Sequence, residues 1–292
     1  LNKIRNEKSI RTENTMYSYF YFKAEDEVDY LNAGKSEVLN NVDWVAYKQH
    51  FFTSNLLTDK PFNKATVTST DLVLNEEIDT VFTKKYELKT PLALVGGELN
   101  YNMKWFYGPS DYNLLKNYEN TDLAEISDLG WGIFGFLNRV VFYPVFNFLK
   151  GFLSNFGLII ILMTIVVRIL MSPLVYKSYL SSAKMKVIRP ELNALLEKYP
   201  GKENAMKRQQ ETMALQSKAG VSPLAGCIPA LLQMPVFFAL FRFFPSNIDL
   251  RQKGFLWADD LSAYDSVFEL PFRIPMYGSH ISLFPILASL AI

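Results

Sequence analysis

The sequence predicts a multidomain protein in which the C-terminal part of a β-sandwich is followed by an α-helical membrane core. The β class follows from segments before residue 110 that mix aromatic and β-branched residues with polar ones and are separated by turn residues. The membrane core follows from the apolar run 157–176, GLIIILMTIVVRILMSPLVY. As a helix this run would be about 30 Å long, which is the thickness of a bilayer's hydrocarbon core.

The distribution of charge predicts how these parts are oriented. Residues 1–130 carry 14 Lys/Arg against 20 Asp/Glu, a net charge of −6, whereas residues 177–218 carry nine against four, a net charge of +5. Residues 246–292 are again acidic, with three against five. Because short loops rich in Lys and Arg stay in the cytoplasm, the basic segment should be cytoplasmic and the acidic segments should lie on the other face.

Residues 1–128 are predicted to form the β domain. Asn32 to Gly34, Gly96–Gly97 and Gly108–Pro109 mark bends, and Val42 to Leu57 fits either a short helix or a strand. Core packing is the expected role of the many aromatic residues, with a ligand groove as the alternative. The predicted strands are Thr15–Phe22, Ala65–Leu74, Thr80–Thr90 and Leu99–Tyr107.

Residues 129–155 are predicted to form an amphipathic helix that lies in the membrane interface. Trp131 and Tyr143 suit the headgroup level, and Pro144 predicts a kink or a break. A second transmembrane helix is the alternative, but two charges and two asparagines within residues 129–153 count against it. Polar residues recur along one helical stripe, which comprises Arg139, Tyr143, Asn147, Lys150 and Ser154.

Residues 156–176 are predicted to be a transmembrane helix with Arg168 near its middle. At this depth the side chain cannot easily reach either interface, and an unpaired guanidinium in hydrocarbon costs between about 2.5 and 17 kcal/mol. Arg168 should therefore lie in a hydrated or protein-lined cavity. The alternative is a structural ion pair with a neighbouring helix, although the next apolar segment, 221–244, contains no Asp or Glu.

Residues 177–220 are predicted to form a thin, basic helical hairpin in the cytoplasm. Pro200–Gly201 marks the turn, and Gly220 is placed to end the second helix. The charge of the hairpin suits anionic lipid, ribosomal RNA or a nascent chain, but a solvated face that sets the topology is the default. The apolar stripes consist of Leu192, Leu195, Leu196 and Tyr199 on the first helix and of Met206 and Met213 on the second.

Residues 221–245 are predicted to be a second transmembrane helix, in which neighbouring helices satisfy the carbonyls that Pro223, Pro229 and Pro235 leave free. Gln233 is the only strongly polar side chain at its centre. It either hydrogen-bonds a neighbouring helix, which is worth roughly 0.6 to 2 kcal/mol, or shares one polar cavity with Arg168. Residues 246–280 are predicted to be an exposed loop, and residues 281–292 the beginning of a truncated span.

Catalytic and metal-binding motifs are absent from the sequence. Cys227 is the only cysteine, which excludes an internal disulfide, and His50 has no Cys, His or carboxylate at ligand spacing. HExxH, G-x-S-x-G and P-loop patterns are missing, and Ser172 and Ser178 have no nearby His. These absences count against a hydrolase and against a zinc-type site.

From Leu129 onward the chain resembles the YidC membrane protein insertase family, in its Gram-negative form with a periplasmic domain. The resemblance rests on three motifs in order, namely TIVVRILMSPL, VSPLAGCIPALLQMPVFFALF and NIDLRQKGFLWADDLSAYD. The front domain resembles the family's periplasmic β-sandwich chiefly through VDWVAYKQHFFTSNLL. The family's first and last transmembrane helices are expected to lie outside this sequence.

The resemblance implies an insertase of the bacterial inner membrane, which helps hydrophobic segments enter the bilayer without hydrolysing anything. It implies a hydrophilic groove in which Arg168 supplies positive charge and Thr164 and Gln233 are further polar positions. The implied partners are nascent membrane proteins and the lipid bilayer, with the Sec translocon and the ribosome as candidates and no cofactor. The stretch that contacts substrate helices includes Met234, Pro235 and Phe237.

Two other classes of protein remain open at this point. A channel or transporter would also place an Arg at mid-membrane, but proton relays usually need intramembrane Asp, Glu or His, and these spans contain none. A membrane-tethered binding module would carry its function in the N-terminal domain. Deleting residues 1–128 distinguishes this module from an insertase.

Overall fold

The structure is a computed structural model that describes residues 1–76, 78–79, 81–94, 96–201, 203–220, 228–274 and 277–291. The chain divides into two compact units, of which the first combines residues 1–129 with 242–292 and the second comprises residues 130–241. The predicted order, an antiparallel β domain followed by apolar helices, is confirmed.

The first unit is built on one antiparallel sheet of seven strands. In chain order these are β1 (Asn2–Ile4), β2 (Phe20–Ala24), β3 (Glu27–Leu31), β4 (Lys35–Lys48), β5 (Phe52–Asp71), β6 (Phe82–Lys89) and β7 (Met103–Pro109). Their order in the sheet is β1-β6-β5-β4-β2-β3, with β7 paired to the first part of β5 and β6 to its last part. The long strand β5 therefore has different neighbours at its two ends.

Several local predictions for the β domain need correction. The segment Thr15 to Phe22 is not one strand, because a π-helical turn covers Thr12–Tyr17 and β2 starts only at Phe20. Gly108 and Pro109 do not form a bend; they end β7 and lie opposite Thr53 and Phe52.

Other local predictions for this domain are confirmed or resolved. The ambiguous stretch Val42 to Leu57 is mostly strand, since it contains the end of β4 and the beginning of β5. The bends at Gly34 and Gly96–Gly97 are confirmed by positive φ angles of 76°, 65° and 86°.

Two apolar clusters form from alternate residues of the same strands. Phe20, Val45 and Tyr47 belong to one cluster, whereas Tyr21, Trp44 and Ala46 belong to the other. This alternation is the period of two that a strand requires, so the clusters lie on opposite faces of the sheet. The second cluster is completed by helix α1 (Tyr112–Leu115) and a 3-10 helix (Leu123–Ser127) through Leu115, Leu123 and Ile126.

The second unit begins with a continuous helical segment over Gly132–Lys150. It consists of α2 (Gly132–Leu137), a π-helical turn (Asn138–Phe142) and α3 (Tyr143–Lys150). The π-helical turn lies directly before Pro144, where the sequence predicts a kink. Of the predicted polar stripe, Arg139, Asn147 and Lys150 are exposed, but Tyr143 is buried.

The long helix α4 (Phe156–Val187) follows and contains Arg168. Asn155 begins it by accepting a hydrogen bond from the Leu158 amide at 3.1 Å. The helix does not end at Tyr176 as predicted but continues to Val187. Within the described part of the chain, α4 and the segment Gly132–Lys150 are both long and apolar enough to cross a membrane, so the interfacial position of the latter stays a prediction.

The predicted helical hairpin consists of α5 (Arg189–Lys198) and α6 (Ala205–Lys218). Gly201 and Gly220 have φ angles of +81° and +62°, as expected for the turn and for the residue that ends the second helix. The predicted stripe on α6 is wrong, because Met206 and Met213 are largely exposed. The space between the two helices is instead lined by Leu195, Ala214 and Leu215, among others.

Helix α7 (Ile228–Ser246) covers most of the second predicted span. Residues 221–227 of that span, including Cys227, lie outside the described residues. The helix crosses from the second compact unit into the first at position 242.

The C-terminal part of the first unit is more ordered than the predicted loop 246–280. It contains the antiparallel pair β8 (Phe268–Ile274) and β9 (Gly278–Ile281), followed by α8 (Leu283–Leu290). The Asp265 carboxylate accepts hydrogen bonds from the Trp257 indole at 3.0 Å and from the amides of Leu283 and Phe284 at 2.7 and 3.1 Å. Burial raises the pKa of Asp265, but these hydrogen bonds outweigh it and the net pKa is lowered.

Candidate functional site

A cavity of about 330 Å³ in the second unit brings together three of the predicted site residues, Thr164, Arg168 and Gln233. Its lining residues on α4 recur every three or four positions, which places them on one face of the helix. From α4 these are Thr164, Val167, Arg168, Met171, Ser172, Val175, Tyr176 and Tyr179, and from α7 they are Gln233, Val236 and Leu240.

The cavity combines polar, exposed side chains with buried apolar ones. Thr164, Arg168 and Gln233 are exposed, whereas Val167 and Val236 are buried. The Thr164 hydroxyl donates a hydrogen bond to the Ile160 carbonyl at 2.9 Å, so it satisfies its proton within the helix and keeps its oxygen lone pairs available. Polar groups therefore line a space that is otherwise bounded by aliphatic side chains.

Arg168 gives this cavity a positive charge that no described residue of the lining compensates. The described lining residues include no Asp or Glu. No ion pair among the described residues involves Arg168. By contrast, Arg242 on α7, the other helix that lines the cavity, pairs with Asp128 at 2.8 Å. Within the described chain, the structure therefore gives no support to the alternative in which Arg168 is a structural ion-pair partner.

The other three predicted site residues do not line the cavity. Met234 and Phe237 on α7 are 52% and 57% exposed, and Pro235 lies between them in sequence. The Phe237 ring stacks on Phe241 with a centroid distance of 6.4 Å. The structure thus separates the predicted site into a polar cavity and an exposed apolar face of α7.

Three polar lining residues were missed by the sequence reasoning, namely Ser172, Tyr176 and Tyr179. Ser172 and Tyr176 follow Arg168 by four and eight positions, and Tyr179 follows it by eleven. These are the spacings of one helical face, so the signal was present in the sequence. Extending the stripe from Thr164 and Arg168 past residue 170 would have found them.

The architecture first defines a class of protein, one with an antiparallel β domain and a helical unit that contains long apolar helices. Comparison with known families agrees with this division. Residues 6–144 match the family model described as the YidC periplasmic domain, and residues 148–292 match the model described as 60Kd inner membrane protein. Together the two models cover nearly the whole chain.

Curated relatives named membrane protein insertase YidC are similar along the same length. The protein of Parabacteroides distasonis is 41% identical over 97% of this chain and 46% of its own length. The proteins of Phocaeicola vulgatus and Porphyromonas gingivalis are 42% and 40% identical over 97% and 98% of this chain, and over 47% and 48% of their own lengths. The chain belongs to the YidC membrane protein insertase family, and it spans about half the length of these relatives.

Proposed function

We propose that the protein is a membrane protein insertase in which the cavity at Arg168 receives the polar end of an entering segment. The observation that carries this proposal is the arrangement of Thr164, Arg168 and Gln233 around one cavity whose described lining has no carboxylate. A positive charge that has no partner among the described residues is available to a ligand. The family membership supports an insertase over a channel or a tethered binding module.

The physical role of Arg168 is to lower the cost of moving a polar chain end into the membrane. A charged or polar group that leaves water without a partner loses its hydration, and in hydrocarbon nothing replaces it. A hydrated guanidinium offers that group an opposite charge and up to five N–H donors. An acidic N-terminal tail can therefore advance part of the way across before its apolar segment reaches lipid.

The apolar part of the substrate is assigned to the exposed face of α7. Met234, Phe237 and Phe241 are each more than half exposed, and together they offer an apolar surface beside the cavity-lining residues of the same helix. Methionine adapts to differently shaped partners because its side chain is unbranched and flexible. Transfer of the segment into lipid then proceeds by burial of apolar area, at roughly 25 cal/mol per Å². We infer no hydrolysis, and therefore no catalytic residue and no cofactor.

The same proposal fixes the arrangement relative to the membrane. The protein is placed in the bacterial inner membrane as a multi-pass protein, with the acidic β domain in the periplasm and the basic hairpin α5–α6 in the cytoplasm. Nascent membrane proteins are the proposed substrates. The ribosome and the Sec translocon are candidate partners on the cytoplasmic side and within the membrane.

The test is substitution of Arg168 in the full-length protein. Arg168→Ala should reduce insertion of substrates with acidic N-terminal tails by about fivefold or more, since a charge pair at 4 Å in water is worth about 1 kcal/mol. Substrates with uncharged tails should be affected less. Insertion is measured by protease protection of the translocated tail, and equal loss for both substrate types would contradict electrostatic capture.

Two further substitutions and one control separate charge from other effects. Arg168→Lys should be partly tolerated, because a point charge suffices where no bidentate partner exists. Full insertion activity of Arg168→Leu would remove the proposed role. Arg189→Ala is the matched control, since Arg189 is also an exposed Arg of the second unit but does not line the cavity.

A further inference from the structure

A second cavity, of about 720 Å³, lies in the first unit between the N-terminal segment and the β8–β9 pair. Its walls come from the segment around Lys8 to Met16, from Tyr264 and from the start of β9. This volume is within the range of small-molecule sites in proteins. The charged and aromatic groups of this cavity have no role in the proposed insertion.

Two cationic side chains line this cavity. Lys8 lies over the Tyr264 ring at 4.4 Å from its centroid and is 3.5 Å from the Tyr264 carbonyl oxygen. The Arg11 side chain is exposed and has no ion pair or hydrogen bond with any described residue. Among the described lining residues Glu76 is the single carboxylate, so the two cations outnumber it. The described part of the lining therefore has a net positive charge.

Neutral hydrogen-bonding groups complete the lining. The Ser9 and Thr12 hydroxyls lie 2.8 Å apart, and both line the cavity. His280 stacks on Tyr264 and on Tyr277, with centroid distances of 3.8 and 4.9 Å. Burial lowers the pKa of His280 and Lys8 lowers it further, against a smaller opposing effect of Asp265. This direction favours the neutral ring, which can donate one N–H. Hydroxyl and cationic donors around one space are the groups that phosphate oxygens accept from.

The neighbouring helix indicates where the phosphate would come from. The Ser282 amide donates a hydrogen bond to the Tyr277 hydroxyl at 3.1 Å, and the apolar helix α8 begins at the next residue. Helix α8 lies within residues 281–292, which are predicted to begin a membrane span. With α8 in the bilayer, which rests on the multi-pass arrangement proposed above, the cavity lies at the depth of the lipid headgroups. The rings of Tyr264 and Tyr277 then offer apolar contact to the glycerol part of a lipid.

We propose that this cavity binds a phosphate group, and that the phosphate belongs to the headgroup of an anionic phospholipid. Lys8 and Arg11 are the binding residues, and Thr12, whose hydroxyl accepts the proton of Ser9, donates a hydrogen bond with its own. This site is distinct from the Arg168 cavity, so its failure would leave the insertion proposal unaffected. Its occupation would hold the β8–β9 pair at the membrane surface.

The test is isothermal titration calorimetry of the full-length protein in detergent with soluble short-chain lipids. Dioctanoyl-phosphatidylglycerol should bind the wild type, and the double variant Lys8→Gln/Arg11→Gln should bind it at least about tenfold more weakly, because charge-assisted hydrogen bonds are lost. Arg11→Gln alone should also weaken binding, and this side chain has no described partner whose loss would disturb the fold. The control Lys35→Gln/Lys104→Gln makes the same change in charge at exposed strand positions and should bind like the wild type.

Two further ligands identify the source of the phosphate. Dioctanoylglycerol lacks the phosphate and should bind at least about tenfold more weakly than dioctanoyl-phosphatidylglycerol. Inorganic phosphate should also bind weakly; if it binds as tightly and with the same dependence on Lys8 and Arg11, the phosphate site stands and the lipid assignment is wrong. Equal binding of phosphatidylglycerol by the wild type and the double variant would overturn the site, as would equal binding of dioctanoylglycerol.

Discussion

Among single residues, Arg168 determines the charge of the α4–α7 cavity, because it is the only ionised side chain among the described lining residues. Its position and that of Thr164 follow from sequence, since residues four apart share a helical face. The contribution of Val236 and Leu240 could not be predicted. Which face of α7 meets the cavity depends on tertiary packing, and α7 is apolar on all sides except at Gln233, Arg242 and its last residue, Ser246.

His50 is a residue whose environment the sequence did not predict. Its ring stacks between Tyr17 and Phe51, with centroid distances of 4.2 and 3.9 Å, and Nε2 donates a hydrogen bond to the Pro245 carbonyl at 2.8 Å. Burial lowers the pKa of His50 to about 4. Phe51 is the next residue, but Pro245 lies 195 positions away, and no local pattern could indicate the contacts with Tyr17 and Pro245.

The lowered pKa of His50 predicts a loss of stability in mild acid. The unfolded chain takes up this proton near pH 6.5 and the folded chain only near pH 4, so stability should fall as the pH drops between these values. The difference in the free energy of unfolding between the wild type and His50→Phe should change by on the order of 3 kcal/mol over this range. Hydrogen exchange of β4 and β5 at pH 7 and pH 4.5 measures it. His280→Phe is the control, and an unchanged difference would contradict the buried, neutral state of His50.

Among the secondary-structure elements, the strands were predicted best where local composition alone indicates a strand. β6 and β7 were predicted from local composition, but of β5 only the part from Ala65 onward was predicted as a strand. The sequence TDKP at residues 58–61, which is typical of a turn, does not indicate that the strand continues through it. In the structure Val42 of β4 pairs with Phe62 of β5, and Trp44 pairs with Leu57. Residues 58–61 therefore form a bulge within a continuous strand β5. β8 and β9 were missed because the segment between them and α7 contains several turn residues.

The proposed function of α4 depends on the position of Arg168 on the helix face that lines the cavity. The double variant Arg168→Ile/Ile169→Arg keeps composition and charge but moves the guanidinium about 100° around the helix, away from the cavity lining. It should lose insertion of acidic-tailed substrates as severely as Arg168→Ala. The measurement is protease protection, normalised to the amount of the variant found in the membrane. Insertion at the wild-type level would show that the charge acts without the cavity.

For the whole molecule, the residue patterns predicted the order of a β domain followed by apolar helices, but not which residues make up the first compact unit. Residues 242–292 belong to this unit together with the β domain. Arg251 bonds Glu7 at 2.9 Å, Arg242 bonds Asp128 at 2.8 Å, and Pro245 accepts the hydrogen bond from His50. Contacts between distant parts of the sequence are set by the tertiary fold, and single-sequence patterns do not carry them.

Because the first compact unit includes residues 242–292, deletion of residues 1–128 should affect more than the β domain. The deletion removes Glu7, His50 and Asp128, so it leaves Arg242 and Arg251 without these partners and should lower the thermal stability of the remaining protein. Insertion per molecule should nevertheless be retained, because the Arg168 cavity lies wholly in the second unit. Insertion assays normalised to folded protein in the membrane test this. Complete loss with normal abundance would favour a function in the β domain.

The most direct test of the central claim is the water accessibility of the α4 face that carries Arg168. Single cysteines are placed at positions 164, 168 and 172 on the cavity face and at positions 165 and 169 on other faces, in full-length protein with Cys227 replaced by Ser. A hydrophilic thiol reagent should label 164, 168 and 172 at least about tenfold faster than 165 and 169, since the thiolate reacts only where water reaches it. Equally slow labelling at all five positions would show that Arg168 lies in a dry helix contact and would contradict the proposed mechanism.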